Sequence, residues 1–218
     1  PSGEENLVLR AARALGSPPV RIELRKRIPA GGGLGGGSSD AAATLVALSR
    51  MFGLDLPLHD IALSLGSDVP FFLVGGTAYA TGRGEILSPL PDVAPLPLLL
   101  LFPRERVSTP EAFRALERFS APLGFERYRA MAGDGLLAHE QELINDFEEP
   151  VFRRLPHLGE LKVRLYEAGA AWAGMSGSGS TIAGAFRSRA KRDEALTAFS
   201  DVQAVAAETI GRAAAVSI

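Results

Sequence analysis

Residues 28–48 read IPAGGGLGGGSSDAAATLVAL, and the interpretation of the whole chain starts from this stretch. Six of the seven residues at positions 31–37 are glycine, and Leu34 is the exception. Because glycine has no Cβ atom, such a loop can bring its backbone N–H groups close to a ligand. The alanine- and leucine-rich residues 41–48 favour a helix, and Asp40 and the two serines before it are types preferred at a helix N-cap. A glycine loop that enters a helix N-terminus predicts a phosphate-binding site, such as that of a nucleotide.

Composition and charge narrow the class of protein. The 218 residues are 46% hydrophobic, which allows one large domain or two small ones with a sizeable core. Lysine and arginine number 23 against 25 acidic residues, so the net charge of −2 lacks the basic excess typical of nucleic-acid binding. The absence of cysteine excludes disulfides and thiolate metal sites, and the three histidines lack the spacing of a zinc pair. The longest apolar run, residues 96–102, is too short to cross a bilayer and no signal peptide is visible, so we expect a cytosolic globular protein.

Periodicity and turn residues predict both helices and strands. Helices are expected from residue 41 onward and over residues 6–15, 57–65, 109–119, 128–139, 155–168 and 190–199. Strands are expected over residues 20–28, 98–102, 171–174, 181–186 and 202–207, with a strand or hairpin over residues 75–87. Four prolines between residues 89 and 97 indicate a linker. We therefore place one domain over residues 1–94 and a second over residues 95–218.

Two other glycine-loop motifs fit the opening stretch less well. Gly31, Gly33 and Gly36 form a G-x-G-x-x-G pattern with Asp55 further on, as in dinucleotide-binding folds. Residues 21–27 alternate with charge, however, whereas the first strand of such a fold is buried on both faces and apolar. A P-loop needs a lysine before its hydroxyl residue, and none is present. A glycine-rich turn that only caps a helix is a further alternative, but contact with a ligand explains six entropically costly glycines better.

The glycine stretch PAGGGLGGGSSDAA, residues 29–42, resembles the second motif of the GHMP kinases. Three further stretches resemble segments of that family in the same order, so that the resemblance covers nearly the whole chain. They are ENLVLRAARAL at residues 5–15, LGSDVPFFLVGGTAYATGRGEIL at residues 65–87 and GMSGSGSTIAGAF at residues 174–186. The long glycine run is similar to one branch of the family, whose members phosphorylate the 2-hydroxyl group of 4-diphosphocytidyl-2-C-methyl-D-erythritol in the non-mevalonate route to isoprenoids.

The resemblance implies an α+β, two-domain GHMP kinase fold. Its N-terminal, ATP-binding domain would resemble domain 2 of ribosomal protein S5 and be incomplete here, and its C-terminal domain would be ferredoxin-like. The implied activity is phosphoryl transfer from ATP, with Mg²⁺, to a small-molecule acceptor, without nucleic-acid or membrane partners. The resemblance allows a monomer or a homodimer, in the bacterial cytoplasm or in a plastid.

The resemblance assigns the ATP phosphates to the backbone and hydroxyl groups of the glycine stretch. These residues are Gly31, Gly32, Gly33, Leu34, Gly35, Gly36, Gly37, Ser38 and Ser39. The two serines, Ser38 and Ser39, are also candidates for contact with Mg²⁺. Asn6 corresponds to a residue of the family's adenine pocket, and Asp40 is interpreted as an N-cap that faces away from the phosphates.

Asp68 is the candidate catalytic residue. It matches the aspartate of the family's G-[AS]-D-V-P segment, which implies that its carboxylate accepts or orients the proton of the attacking hydroxyl group. The alternative is a structural one, in which Asp68 caps the short turn before Pro70.

The acceptor site is assigned to two segments of the C-terminal half. By the resemblance, Gly177, Ser178 and Gly179 lie along the diphosphate of the acceptor, and the alternative is a simple hairpin turn. Thr109 and Phe113 are one helical turn apart and share a face. The resemblance places them in a cytidine pocket with the aromatic ring stacked on the base, and the alternative is a helix cap and a core aromatic.

One family feature has no counterpart in this sequence. The family's first motif, P-A-K-[IV]-N, supplies a lysine that works with the aspartate, and a G-Y-H segment that holds the cytosine follows it. The only lysines here are Lys26, Lys162 and Lys191, and none has that context. We therefore expect both segments to precede Pro1, and the first strands of the N-terminal sheet with them, which would leave sheet edges unpaired.

Three other functions are weighed against this kinase. One is another GHMP small-molecule kinase, of the homoserine or mevalonate type. Another is a nucleotide-binding fragment without catalysis, because the lysine motif is absent. A dinucleotide-dependent oxidoreductase fits the sequence least well.

Overall fold

The computed structural model describes residues 3–215, which form helices and antiparallel sheets. The helices are α1 (Leu7–Ala14), α2 (Gly36–Phe52), α3 (Leu58–Leu65), α4 (Val69–Val74), α5 (Thr109–Arg114), α6 (Phe125–Asp134), α7 (Glu148–Arg154), α8 (Pro156–Glu167), α9 (Arg189–Leu196) and α10 (Arg212–Ala215). The strands are β1 (Ala78–Thr81), β2 (Ile86–Pro89), β3 (Pro97–Phe102), β4 (Trp172–Met175), β5 (Ile182–Ala185) and β6 (Gln203–Glu208). Short 3₁₀ turns cover Leu136–Ala138 and Glu140–Glu142.

The chain divides into two compact units. The first contains the described residues among 1–30, 35–92 and 210–218, and the second contains Gly31–Leu34 and Val93–Thr209. The division after Asp92 falls within the expected linker. The assignment of Gly31–Leu34 to the second unit was not expected, and the domain limits drawn from the sequence stay a prediction.

The first unit is built around α2, which packs against α1, α3 and α4. Its core includes Ala11, Leu45 and Val69, all of them 0% exposed. Leu45 and Leu48 lie on the same face of α2, as their helical spacing predicts, and both are buried. Strands β1 and β2 form an antiparallel hairpin in the same unit.

The second unit is a four-stranded antiparallel sheet in the order β4-β5-β3-β6. Its central strand β3 carries the run PLLLLF, in which Leu99 and Leu101 are completely buried. Helix α8 packs on β4 and β5, and α9 packs on β3 and β6. Leu158 and Leu165 of α8 are among the fully buried residues of this core.

The strand expected over residues 20–28 is not formed. These residues are exposed throughout and pair with no strand in the described part of the chain. Val20, Ile22, Leu24 and Ile28 are 36–39% exposed, so their alternation with charged residues does not correspond to a buried face. A strand exists only through hydrogen bonds to a neighbour, and alternation alone cannot supply one.

Several helix limits also differ from the expectation. The helix expected over residues 109–119 ends at Arg114, and Phe119 beyond it is 76% exposed. The helix expected over residues 128–139 occupies Phe125–Asp134 instead. Helices α4 and α7 were missed, since α4 (VPFFLV) is apolar all round and gives no periodic signal. No helix among residues 3–215 combines the length and apolarity that crossing a membrane would need.

Candidate active site

The start of α2 depends on Gly35. This residue is the N-cap of the helix and has a φ of 64°, in the left-handed region that favours glycine. A Cβ atom at Gly35 would lie 2.7 Å from Cζ of Phe72, a residue of α4. Both the backbone conformation and the close approach of α4 therefore require glycine here.

The first turn of α2 supplies the donors that were expected for phosphate. The helix begins at Gly36, so the N–H groups of Gly36, Gly37 and Ser38 belong to its first turn and have no acceptor within the helix. The backbone N–H of Ser39 donates to the Gly35 carbonyl oxygen at 2.9 Å. A free first turn with the positive end of the helix dipole favours an anion.

The interpretation of Asp40 as an N-cap is wrong. Because α2 starts at Gly36, Asp40 and the two serines before it lie inside the helix. The carboxylate of Asp40 instead forms an ion pair and a hydrogen bond with Nζ of Lys26, within the first unit. The negative charge of Asp40 is therefore paired with a lysine from the segment that precedes the helix.

In the second unit, the loop Gly31–Leu34 is held by residues 176–181. The hydroxyl group of Ser176 donates to the Gly33 carbonyl oxygen at 2.9 Å, and the backbone N–H of Thr181 donates to the Gly32 carbonyl oxygen at 3.2 Å. Gly33 has a φ of 77°, and a Cβ atom there would lie 2.0 Å from the Ser176 carbonyl oxygen. The loop can approach residues 176–181 this closely only because Gly33 is glycine.

These two hydrogen bonds also orient the loop's donors. In a trans peptide the N–H points opposite to the C=O of the same unit. With the carbonyl groups of Gly32 and Gly33 bound to residues 176–181, the N–H groups of Gly33 and Leu34 point away from those residues. The loop therefore presents adjacent backbone N–H groups in a fixed direction, as a phosphate cradle requires.

Thr109, Phe113 and Ser178 come together in the second unit. Thr109 is the first residue of α5, and its hydroxyl oxygen lies 2.9 Å from that of Ser178. The N-cap of α5 is Ser108, and Phe113 is 60% exposed. The structural alternative is therefore wrong, because Thr109 is not the helix cap and Phe113 is not a core residue. Gly177, which precedes Ser178, lies against the glycine loop instead, since a Cβ atom on it would be 3.0 Å from the Gly33 carbonyl oxygen.

Asp68 immediately precedes α4 in the first unit. It occupies the N-cap position, but its side chain makes no capping hydrogen bond. Within residues 3–215 its exposed carboxylate has no hydrogen bond or ion pair, and its Oδ1 lies 4.0 Å from a Cβ atom built on Gly84. The structural alternative, a capping side chain, is therefore not formed.

Family models match both halves of the chain. The model of the GHMP kinases N terminal domain matches residues 6–76, and that of the GHMP kinases C terminal matches residues 129–204. The chain belongs to the GHMP kinase family. The expected α+β, two-domain GHMP kinase fold is thereby confirmed.

Comparison with individual relatives and solved structures shows which GHMP kinases this chain resembles. The 4-diphosphocytidyl-2-C-methyl-D-erythritol kinase of Solibacter usitatus (strain Ellin6076) is 46% identical over 202 residues, which cover 85% of this chain and 63% of the relative. The crystal structure of a 4-(cytidine 5'-diphospho)-2C-methyl-D-erythritol kinase has a TM-score of 0.86 and 40% identity, over 97% of this chain and 80% of the other. Homoserine kinase from Cytophaga hutchinsonii has a TM-score of 0.69 at 20% identity, over 94% and 75%, and shows the fold alone. The chain thus spans less than two thirds of the length of the first of these relatives.

The three lysines of this GHMP kinase chain all form ion pairs. Lys26 pairs with Asp40, Lys162 with Glu148 and Lys191 with Glu194. Each is therefore engaged by a carboxylate other than Asp68.

Asn6 has a local role that its sequence context did not reveal. It is the N-cap of α1, and its side-chain oxygen accepts a hydrogen bond from the Val8 backbone N–H at 3.0 Å. Its assignment to an adenine pocket stays a prediction.

Sequence reasoning missed the residues that support the loops. Ser176 and Thr181 flank the predicted glycines and hold Gly31–Leu34, although neither was named as a site residue. The side chain of Asn145, a residue just before α7, also binds the carbonyl groups of Met175 and Gly177. An asparagine in a turn between two helices gives no sign of a partner some 30 positions further on.

Proposed function

We propose that this protein transfers the γ-phosphoryl group of ATP to the 2-hydroxyl group of 4-diphosphocytidyl-2-C-methyl-D-erythritol. The observation that carries the proposal is the likeness to kinases of that name, which extends over most of this chain. The local geometry supports it, because the glycine loop and the first turn of α2 offer oriented N–H donors for phosphates.

In this proposal the ATP phosphates are bound by the glycine stretch. Backbone N–H groups of Gly31–Leu34 and of Gly35, Gly36 and Gly37 act as donors, and the hydroxyl groups of Ser38 and Ser39 add to them. Phosphoryl transfer depends mainly on positioning and charge stabilisation, which fixed backbone donors provide without reorganisation. Asn6 is assigned to the adenine end.

Mg²⁺ is compatible with these residues. Within the described residues, no group of three or more acidic, cysteine or histidine side chains is arranged so that it could hold a metal ion. Mg²⁺ keeps several waters and takes its remaining ligands from phosphates and a few protein oxygens, so the hydroxyl groups of Ser38 and Ser39 suit it. When bound, the ion would neutralise charge on the phosphates.

The acceptor is assigned to the second unit. Phe113 offers an exposed ring for the cytosine base, and Thr109 and Ser178 offer hydroxyl groups beside it. Gly177, Ser178 and Gly179 are assigned to the diphosphate.

In this proposal, the carboxylate of Asp68 accepts the proton of the reacting hydroxyl group. As the acceptor oxygen bonds to the γ-phosphorus, the bond to the β–γ bridging oxygen breaks, ADP leaves and the hydroxyl proton passes to the carboxylate. An exposed carboxylate without a structural partner is free for this role.

A location in the cytoplasm, expected from the sequence, remains part of the proposal.

The test is release of ADP from MgATP by the protein in the full length that its gene encodes. Acceptors compared are 4-diphosphocytidyl-2-C-methyl-D-erythritol, homoserine and mevalonate. We expect turnover with the first alone, and a fall in kcat of about 10²–10⁴-fold in Asp68→Asn. Asp55→Asn, an exposed aspartate after α2, serves as the control.

Two outcomes would overturn the proposal. Turnover of homoserine or mevalonate instead would point to another acceptor within the family. Binding of ATP without turnover of any acceptor would favour a nucleotide-binding module without catalysis.

A further inference from the structure

The outer edge of β4 is covered by side chains of residues 145–148. Strand β4 lies at one end of the sheet and pairs only with β5 among the described strands. At its last residue, Met175, the backbone N–H donates to Oε1 of Glu148 at 2.7 Å, and the carbonyl oxygen accepts from Nδ2 of Asn145 at 2.7 Å. Both backbone groups of Met175 are therefore bound by this one segment.

The side chain of Asn145 reaches beyond the strand into the loop. Its Nδ2 also donates to the Gly177 carbonyl oxygen at 2.8 Å, and its Oδ1 accepts from the Phe147 backbone N–H at 3.0 Å. One amide thus uses its two N–H donors on the end of β4 and on the loop, and its oxygen on its own segment. This arrangement distinguishes asparagine from aspartate, because only the amide can donate to two carbonyl groups.

The hydrogen bond to Gly177 sets the direction of the next donor. Gly177 has a φ of 54°, and such a loop gains little rigidity from its own sequence. With the Gly177 carbonyl bound to Asn145, the N–H of Ser178 in the same peptide unit points the opposite way. Ser178 thereby presents a backbone N–H in a fixed direction, as binding of a phosphate group requires.

The same segment supports Phe113. The ring of Phe147 packs edge-to-face against that of Phe113, with centroids 4.9 Å apart and an interplanar angle of 83°. Phe147 packs against the core of the second unit, whereas Phe113 is 60% exposed. One short segment therefore makes both contacts: Asn145 binds the loop, and Phe147 packs against the ring of Phe113.

We propose that Asn145 is a positioning residue for acceptor binding, which fixes the Gly177–Ser178 peptide beside Phe113. This inference rests on the proposed function, in which Gly177, Ser178 and Phe113 bind a cytidine diphosphate derivative. Asn145 touches neither nucleotide in this scheme and acts through the loop.

The decisive variant is Asn145→Asp. It keeps the size of the side chain and an acceptor for the Phe147 N–H, but it directs a carboxylate at two carbonyl oxygens. We expect the KM for the acceptor to rise about tenfold or more, the KM for ATP to rise much less, and the affinity for cytidine diphosphate to fall in parallel. As the pH falls, the introduced carboxyl group takes up a proton and can donate again, so binding should recover in the variant while the wild type shows no such gain.

Two further variants complete the test. Asn145→Ala removes the donors without repulsion, so it should show the same selective loss to a smaller extent and decides the question if Asn145→Asp does not fold. Asp146→Asn is the matched control, because Asp146 accepts hydrogen bonds from the N–H and hydroxyl groups of the exposed Ser120 and from no group of the loop at residues 176–181. Thermal unfolding of all three variants shows whether each is folded.

The outcomes separate this inference from the proposed function. Suppose that the wild type is active. The inference alone is then overturned if both Asn145 variants keep the acceptor KM and the cytidine diphosphate affinity of the wild type. It is also overturned if the KM for ATP and the KM for the acceptor rise equally. If the wild type neither turns over the acceptor nor binds cytidine diphosphate, both proposals fall. If it binds cytidine diphosphate but turns over another acceptor, the binding measurements still decide the role of Asn145.

Discussion

The hydroxyl group of Ser176 donates to the carbonyl oxygen of Gly33, 143 positions earlier in the chain, at a distance of 2.9 Å. At the same place a Cβ atom on Gly33 would lie 2.0 Å from the Ser176 carbonyl oxygen. Two glycine-rich segments that are far apart in sequence are thus in direct backbone contact.

Gly33→Ala should therefore destabilise the protein more than Gly31→Ala. Both glycines have a positive φ, 76° at Gly31 and 77° at Gly33, so alanine costs about 1–2 kcal/mol at either position through backbone strain. Only at Gly33 does the new methyl group also meet backbone atoms, whereas nothing lies within 4 Å at Gly31. Urea unfolding of the two variants measures the difference, and equal losses would show that the contact with Ser176 is not maintained in solution.

Ser176→Ala should weaken ATP binding through the loop. The variant loses the hydrogen bond to Gly33, which we expect to lower the free energy of unfolding by about 1 kcal/mol and to raise the KM for ATP several-fold. Ser64→Ala is a suitable control, because that hydroxyl group also donates to a backbone carbonyl, at 2.7 Å, but from an exposed position on α3. A change in KM of the same size in both variants would contradict a specific role for Ser176.

Asp92 should tether the C-terminal residues of the first unit in a pH-dependent way. Its Oδ2 accepts from the Arg212 backbone N–H at 2.6 Å and its Oδ1 from that of Thr77 at 3.3 Å. These N–H groups, that of Arg212 above all, lower the pKa of the Asp92 carboxyl group. A pKa lowered by folding adds stability above the ordinary aspartate value of about 4, and this stability is lost as the pH falls through the lower folded-state value.

Asp92→Asn tests the tether directly. We expect trypsin to cleave faster after Arg212 in this variant than in the wild type or in Asp60→Asn, an exposed substitution on α3 in the same unit. The difference in unfolding temperature between wild type and Asp92→Asn should shrink as the pH falls below about 4, the ordinary aspartate value. A difference that stays constant as the pH falls would argue against an ionised Asp92 as its cause.

The exposed segment over residues 20–28 should promote self-association of this chain. Its apolar side chains are 36–39% exposed and its backbone pairs with no strand among the described residues, and unpaired apolar segments of this kind can pair with other chains. Ile22→Lys should reduce light scattering of concentrated protein, because a charged lysine in the segment opposes such pairing. Val163→Lys, at a 55% exposed apolar residue of α8, is the comparison, and an equal effect there would indicate general charge repulsion.

The sequence alone determined the local features that depend on residue type and spacing. The glycines at positions 31–37 and the apolar repeat of α2 predicted a glycine loop followed by a helix, because these properties are local. The glycine stretch at residues 29–42, together with the motifs around Asp68 and Gly177 and residues 5–15, indicated the GHMP kinases, which the family models confirm. Alternation over residues 20–28 misled, since a strand requires a partner that sequence spacing cannot identify.

Only the tertiary structure decided which residues hold the predicted site in place. It set the start of α2 at Gly36, removed Asp40 from the N-cap and paired that residue with Lys26. It also brought Ser176 to Gly33 and Asn145 to Gly177, contacts across 143 and 32 positions. Such hydrogen bonds depend on where folding places distant backbone carbonyl groups, and the identity of a serine or an asparagine carries no trace of that placement.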